Sequence, residues 1–421
     1  MVDIPLAIVN QVGRIDSTRR CYVDLKLVGE RIRRERGRAG LNQRELAARA
    51  QLSQPTLTRI ESGSRANVTL AELDRLAVAL DVPVRLLISG DPVRQRVQVA
   101  ARINEAVDAE REAALRHTLA VLELDARLDK LGPRAVQQRK PAEWLSLPDE
   151  DLPREQQAAE LAQQVRTALQ LGCAPIADID ELIEQLTGVD TAVLDLPKTV
   201  DGFTVTDPVR KTTLIVVRTC DVPERQRFSF AHELGHLLWG DGAQVHELDD
   251  GRTPGEKRCD AFARHLLAPE EGIRAWLSTE CPSQDDQVGE RTAALLARHF
   301  RVSFPVILIQ LELMELITTD RKKELWGPIG AQLAQRYGWG PAYEQEQEAA
   351  QAVRAPRRIL ERAVEAYRQN FIGVRALAML EGRKPEDAEV KLREAGIVPD
   401  SPIAKRANLS RLVARGRAKD E

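Results

Sequence analysis

The residues with the most chemistry in this sequence fall in one stretch, RFSFAHELGHLLWG, residues 227–240. The 421 residues contain only six histidines, and two of them, His232 and His236, stand four apart with Glu233 directly after the first. On an α-helix four residues advance about 400°, so both imidazoles project from one face. Two zinc ligands need that geometry. Glu233 beside them is placed to take a proton from a water rather than to bind the ion. Phe228, Phe230, Ala231, Leu234, Leu237 and Leu238 make the helix strongly apolar. Burying two histidines and a glutamate there without partners would be costly, and a metal is the simplest compensation. Two core histidines with ordinary hydrogen bonds are the structural alternative.

A catalytic zinc takes three protein ligands and keeps one position open. A third histidine does not follow at close spacing, because Trp239 and Gly242 stand where the longer H-E-x-x-H-x-x-G-x-x-H pattern has glycine and histidine. The third ligand therefore comes from elsewhere. Downstream, PGEKRCDAFARHLLAPEE places Glu256 and Asp260 four apart, on one face of a second helix. His265 lies nine residues after Glu256, half a turn out of phase, and faces away. His246 lies in a Gly/Asp-rich loop and reads as a surface residue. No donor for an oxyanion is identifiable.

Taken together, RFSFAHELGHLL, DAFARHLLAP and the E-x-x-x-D pair resemble the gluzincin type of zinc peptidase, and specifically the ImmA/IrrE family of metallopeptidases. DGFTV and TTLIVV are similar to that family's strands leading to the site, and the resemblance covers about residues 155–318. It implies an α+β domain with His232, His236 and Glu256 as zinc ligands and Glu233 as catalytic base. Asp260 would accept the free N–H of a ligand histidine. Two departures are visible: LLAP replaces the usual LLMP, and Cys259 stands where alanine is common.

Nearer the start, LNQRELAARAQLSQPTLTRIE, residues 41–61, reads as two short helices. The first begins near Asn42, Leu52–Ser53 turns the chain, Ser53 caps the second helix Gln54–Glu61, and Gly63 ends it. Such a helix-turn-helix can set its second helix in the major groove. The segment resembles the phage-repressor or XRE type over about residues 27–90. That resemblance implies that Gln43 bonds a phosphate, Gln54 and Arg59 face base edges, and Thr56 touches backbone. Pro55 replaces a polar residue often used for base contact. Arg31, Arg33, Arg34, Arg36, Arg38 and Arg44 gather here in a chain whose net charge is only −3, a local supply of phosphate contacts. The alternative is a small helical domain that docks protein.

These motifs need elements to hold them. A hydrophobic share of 43 % and a charged share of 30 % suit a globular chain with a sizeable core. The expected fold is mainly α with a small β-sheet: an all-α helix-turn-helix domain, an α+β gluzincin-like metallopeptidase domain and a helical C-terminal region. The expected limits are an arm at 1–24, the helix-turn-helix at 25–91, a connector and linker at 92–152, the peptidase domain at 153–319 and the C-terminal region at 320–421. Residues 91–130 read as a long polar helix with Leu115, Leu119, Leu122 and Ala126 on one face, either an internal packing face or a dimer contact. Strands are expected at 191–196, 202–205 and 213–217. Five scattered cysteines without a CxxC, no signal pattern and no apolar run near 20 residues point to a cytoplasmic protein away from membranes.

The combined expectation is a DNA-binding regulator with zinc-dependent endopeptidase activity. Its partners would be double-stranded operator DNA and a protein substrate of the repressor or antitoxin type, itself included. A homodimer on two half-sites fits. The rivals are a non-catalytic regulator that senses metal or ligand through a peptidase-like domain, and an antitoxin-like binding protein.

Overall fold

The computed structural model describes residues 24–65, 67–82, 84–89, 98–100, 109–131, 145–198, 200–207, 209–240, 253–280 and 288–400. His246, the arm before residue 24 and the basic end after residue 400 lie outside the described residues. The chain divides into two compact units, Met1–Gln95 and Arg96–Glu421.

The first unit contains α1 (Leu25–Arg38), α2 (Gln43–Arg49), α3 (Gln54–Glu61), α4 (Leu70–Ala79) and α5 (Val84–Ser89). Side-chain caps fix the helix starts. Asn42 and Glu45 form a capping box on α2, Ser53 caps α3, and Thr69 with Glu72 boxes α4. Val28, Ile32, Leu46, Leu57, Ile60, Leu73, Leu76 and Leu87 form one buried core.

The second unit opens with strand β1 (Gln98–Ala100) and helix α6 (Ala109–Leu131). The long helix expected over 91–130 is thus interrupted: residues 98–100 pair as a strand, because the neighbouring sheet edge supplies hydrogen-bond partners that their own sequence does not advertise. On α6, Val121, Leu122, Leu124 and Leu128 are buried and the helix packs against C-terminal helices of the same unit. Next come α7 (Arg154–Ala168), α8 (Ile179–Thr187), β2 (Asp190–Leu194), β3 (Gly202–Asp207) and β4 (Thr212–Arg218). The sheet order is β1-β3-β4-β2, with β3 antiparallel to β1 and β4, and β2 parallel to β4. Leu214–Val217 of β4 are buried on both faces, as a β-branched run in a central strand should be. At the β2 edge, Arg354 exchanges both backbone hydrogen bonds with Val193 at 2.9 Å.

Helices α9 (Pro223–Trp239), α10 (Pro254–Leu267), α11 (Glu270–Glu280), α12 (Glu290–Phe300) and α13 (Phe304–Leu313) follow, and then the C-terminal set. That set is α14 (Thr319–Leu325), α15 (Gly330–Tyr337), α16 (Gly340–Gln351), α17 (Arg357–Arg368), α18 (Val374–Leu380) and α19 (Pro385–Glu394). It belongs to the same compact unit as the sheet. Arg362 of α17 and Arg210 of the β3–β4 turn both grip Asp125 and Asp129 on α6, tying three distant parts of the chain with half-buried ion pairs. No single helix among the described residues is long and apolar enough to cross a membrane. The apolar pair α12 and α13 is bent by 108° and supplies core residues such as Phe300, Phe304 and Leu308.

Candidate metal centre and DNA-reading helix

Helix α9 lies across β3 and β4. Pro223 starts it, Gly240 in a left-handed conformation (φ 68°) stops it, and Phe230, Ala231 and Leu234 fasten it to the core. Helix α10 packs on α9 at Gly235. A Cβ built there would lie 3.2 Å from Cys259 Sγ and 3.2 Å from Phe262 Cδ1, so only a glycine lets the helices approach this closely. Thr253 caps α10 by accepting the Glu256 N–H at 3.2 Å. The spacing Thr253-Pro-Gly-Glu256 is that of a capping box, but the Glu256 carboxylate is turned toward the histidines.

The result is a compact donor set. His232 Nε2 and His236 Nε2 are 3.0 Å apart. Glu256 Oε2 is 3.3 Å from the first and Glu256 Oε1 is 3.3 Å from the second. Ligand atoms of all three lie within 4.8 Å of one another. Donors held about 2.0–2.1 Å from a tetrahedral ion stand ~3.3 Å apart, so these separations fit a metal between them. His232 Nδ1 lies 2.8 Å from Asp260 Oδ1. That contact places the proton on Nδ1 and leaves Nε2 as a donor atom. His232 is buried, and the side chains of His236 and Glu256 are each 14 % exposed.

Glu233, also buried, points to the sheet rather than to the three donors' far side. Its Oε2 accepts from Thr204 Oγ1 of β3 at 3.0 Å. Thr204 was not singled out from the sequence; its place in the alternating run DGFTV was the available signal. His265 faces α7, where its Nε2 meets Glu155 Oε1 at 2.7 Å, away from the donor set as its phase requires. Cys259 is spent on the Gly235 contact.

In the first unit, Gln54 and Arg59 are exposed on α3, Arg44 is exposed on α2, and Thr56 is half-buried with its hydroxyl 2.8 Å from that of Ser53. Gln43 differs from the expected phosphate contact. Its Nε2 donates to Glu61 Oε2 at 2.8 Å and its Oε1 accepts from Thr58 Oγ1 at 3.3 Å, so it joins α2 to α3. Three arginines of the basic cluster also make internal bonds, Arg33 among them, which donates to the Glu61 carbonyl at 3.3 Å. Arg36 pairs with buried Glu61, and Arg31 donates to the Leu87 and Ile88 carbonyls. Arg33, Arg34 and Arg44 remain exposed.

Comparison with known proteins follows the same division. Residues 32–87 match the helix-turn-helix family model and residues 185–312 match the IrrE N-terminal-like domain. The radiation response metalloprotease IrrE of Deinococcus radiodurans is 29 % identical over 183 residues, covering 41 % of this chain and 52 % of that protein. The chain thus spans about half the length of this relative. Among solved structures, ComR from S. thermophilus in complex with DNA and its signalling peptide ComS matches at 12 % identity. It covers 77 % of this chain and 98 % of its own, with a TM-score of 0.23. PlcR from Bacillus thuringiensis in complex with the peptide PapR7 and DNA matches at 14 % identity, covering 77 % and 99 %, with a TM-score of 0.15. At such TM-scores neither bears on the fold of this chain.

Proposed function

We propose that this chain, which carries a helix-turn-helix domain and an IrrE N-terminal-like metallopeptidase domain, is a DNA-binding regulator whose second unit is a zinc-dependent endopeptidase. One observation carries the peptidase reading: His232, His236 and Glu256 converge on one point beside a buried Glu233. These three residues would hold Zn²⁺, which when bound polarises a scissile carbonyl and makes water acidic near neutral pH. Glu233, steadied by Thr204, takes a proton from the attacking water and delivers it to the leaving amine. Asp260 holds the His232 ring and its tautomer.

The DNA side rests on α3. Gln54 and Arg59 would face base edges, with Thr56 and Arg44 on the backbone. A pair of chains on two half-sites is the arrangement that suits such a helix. The substrate in this reading is a repressor or antitoxin type of protein, the setting is the cytoplasm, and the relative's radiation response points to stress as the occasion.

The test compares wild type with Glu233→Gln in cells under DNA-damage stress. Both proteins should hold one zinc per chain. New protein N-termini should arise with wild type alone. Equal zinc with no difference in N-termini under several stresses would move the reading to a metal-sensing regulator without turnover.

A further inference from the structure

The strand that touches the base has an outer edge, and the chain itself sits on it. β3 carries Thr204, whose hydroxyl is 3.0 Å from Glu233 Oε2. It also carries Gly202, where a Cβ would lie 3.4 Å from Glu233 Cγ. One side of β3 pairs with β4 along Gly202–Asp207. Among the described residues the other side is paired by β1, with Gln98 opposite Thr206, Val99 opposite Val205 and Ala100 opposite Thr204. A sheet edge beside a hydrolytic base is where an extended peptide gains backbone hydrogen bonds as an added strand. Here the added strand is the first element after the helix-turn-helix unit, which ends at Gln95. Its backbone at Ala100 is one ladder step, about 5 Å, from Thr204, the residue that holds the base.

We propose that Gln98–Ala100 is the peptidase's own substrate segment, seated in cis on the β3 edge and cut next to Ala100. The proposal rests on the peptidase reading above and names its substrate. Among the described residues β1 covers Thr204–Thr206 of the six residues of β3, a short hold that the segment can leave once cut. In the reaction the water oxygen bonds to the carbonyl carbon, the C–N bond breaks, and the proton taken by Glu233 goes to the leaving nitrogen. The products are a carboxylate that ends the DNA-binding piece and an amine that begins the peptidase piece. The cut therefore detaches the DNA reader from the rest of the chain. It differs from a cut in the stretch 133–152, whose sequence is rich in Pro, Asp and Glu.

The experiment uses the full chain loaded with zinc, incubated alone and with casein as a general protein substrate, and reads fragment masses and N-termini. The expected result is a single early cut within about two residues of Ala100, given ~3.3 Å per strand residue. Its rate should not depend on protein concentration, and Glu233→Gln should abolish it. Val99→Pro and Ala100→Pro disturb the strand. Residues of an antiparallel pair alternate in bonding, so one of the two variants removes an N–H that faces β3. Self-cutting should slow by roughly tenfold or more in that variant, while casein is still cut. Hydrogen exchange in the Glu233→Gln background gives an independent readout: those amides among Thr204–Thr206 that face β1 should lose protection in that same proline variant, while those bonded to β4 keep theirs. Glu233-dependent cutting of casein with an intact chain, or with a first cut in 133–152, overturns the proposal and leaves the peptidase reading standing. Unchanged exchange at Thr204–Thr206 in both proline variants overturns it as well. Absence of any Glu233-dependent cut, in casein or in the chain, overturns both readings.

Discussion

Asp260 holds His232 from behind: its Oδ1 lies 2.8 Å from Nδ1, while the opposite ring nitrogen faces His236 Nε2 at 3.0 Å. The carboxylate is one helical turn beyond Glu256 on α10, so one helix supplies both a donor and the group that orients another donor. Removing such a partner weakens metal binding about 10–100-fold while leaving the donor set in place. Asp260→Ala should therefore raise the zinc dissociation constant by that factor in a chelator competition titration. Unchanged zinc affinity would mean that Asp260 does not set the His232 ring.

The contact between Gly235 and α10 sets how closely the two donor-bearing helices approach. Gly235→Ala puts a methyl 3.2 Å from both Cys259 Sγ and Phe262 Cδ1, tighter than ordinary packing. The helices must separate by a few tenths of an ångström or distort, at about 1–3 kcal/mol. Since α9 carries both histidines and α10 carries Glu256, the same separation spoils the donor spacing. Thermal melting should show the lower stability, and zinc titration the weaker binding. Cys259→Ala in the Gly235→Ala background removes the sulfur and should recover part of both. Wild-type values for Gly235→Ala alone would rule out a tight crossing at this point.

Much of this was legible in the sequence where the determinant is local. Asn42, Ser53 and Thr69 cap helices with their own side chains, so the ends of α2, α3 and α4 follow from short-range chemistry. The one-face arrangement of His232 and His236 is a property of any helix. What was not legible depends on contacts made far along the chain. Residues 98–100 become a strand only because β3 offers an edge. Thr204 matters only because α9 crosses it 29 residues later. Arg31 and Arg36 read as phosphate contacts by local charge, and Gln43 by the family resemblance, yet each has an internal acceptor that only the packed core reveals. Glu256 needed a family resemblance, since its distance from the histidines in sequence carries no periodic signal.

A third test concerns how α10 is anchored. Glu155 of α7 takes hydrogen bonds from Arg264 and His265, both on α10. Burial pushes the Glu155 carboxyl up, but these two partners outweigh it and hold it at about 2, against an ordinary 4.5. A depressed carboxyl contributes stability above its unfolded value and loses it as pH falls toward the folded one. Metal-free wild type should thus be more stable than Glu155→Gln at pH 6. The gap should close between about pH 4.5 and pH 2 in urea melts taken across that range. A gap that does not change with pH would show that Glu155 acts by packing and not by charge.

The last test separates the residues that build the DNA reader from those that read. Glu61 has a fully buried side chain and receives Arg36 Nε at 2.7 Å and Gln43 Nε2 at 2.8 Å. Arg36→Met takes the nearest cation from that carboxylate and leaves it Gln43 and the 3.9 Å contact to Arg33, so the loss should stay below the about 3–5 kcal/mol of an uncompensated buried charge while remaining a sizeable share of the stability of a small helical unit. In the full chain, hydrogen exchange across α1–α3 should rise steeply, and binding to every duplex should fall together. Arg59 is exposed on α3, where its Nε makes a long 3.4 Å contact to the Pro55 carbonyl. Arg59→Ala should leave exchange near wild type, since surface changes stay within about 0.5 kcal/mol. Duplexes selected from a random pool should then report its role. A base contact loses about 1–3 kcal/mol on the selected sequence and relaxes the preference at one position. A phosphate contact weakens all sequences alike and lowers the salt slope by about one. Full-strength, sequence-selective binding by Arg59→Ala would remove Arg59 from the reading face and leave Gln54 as the residue to test.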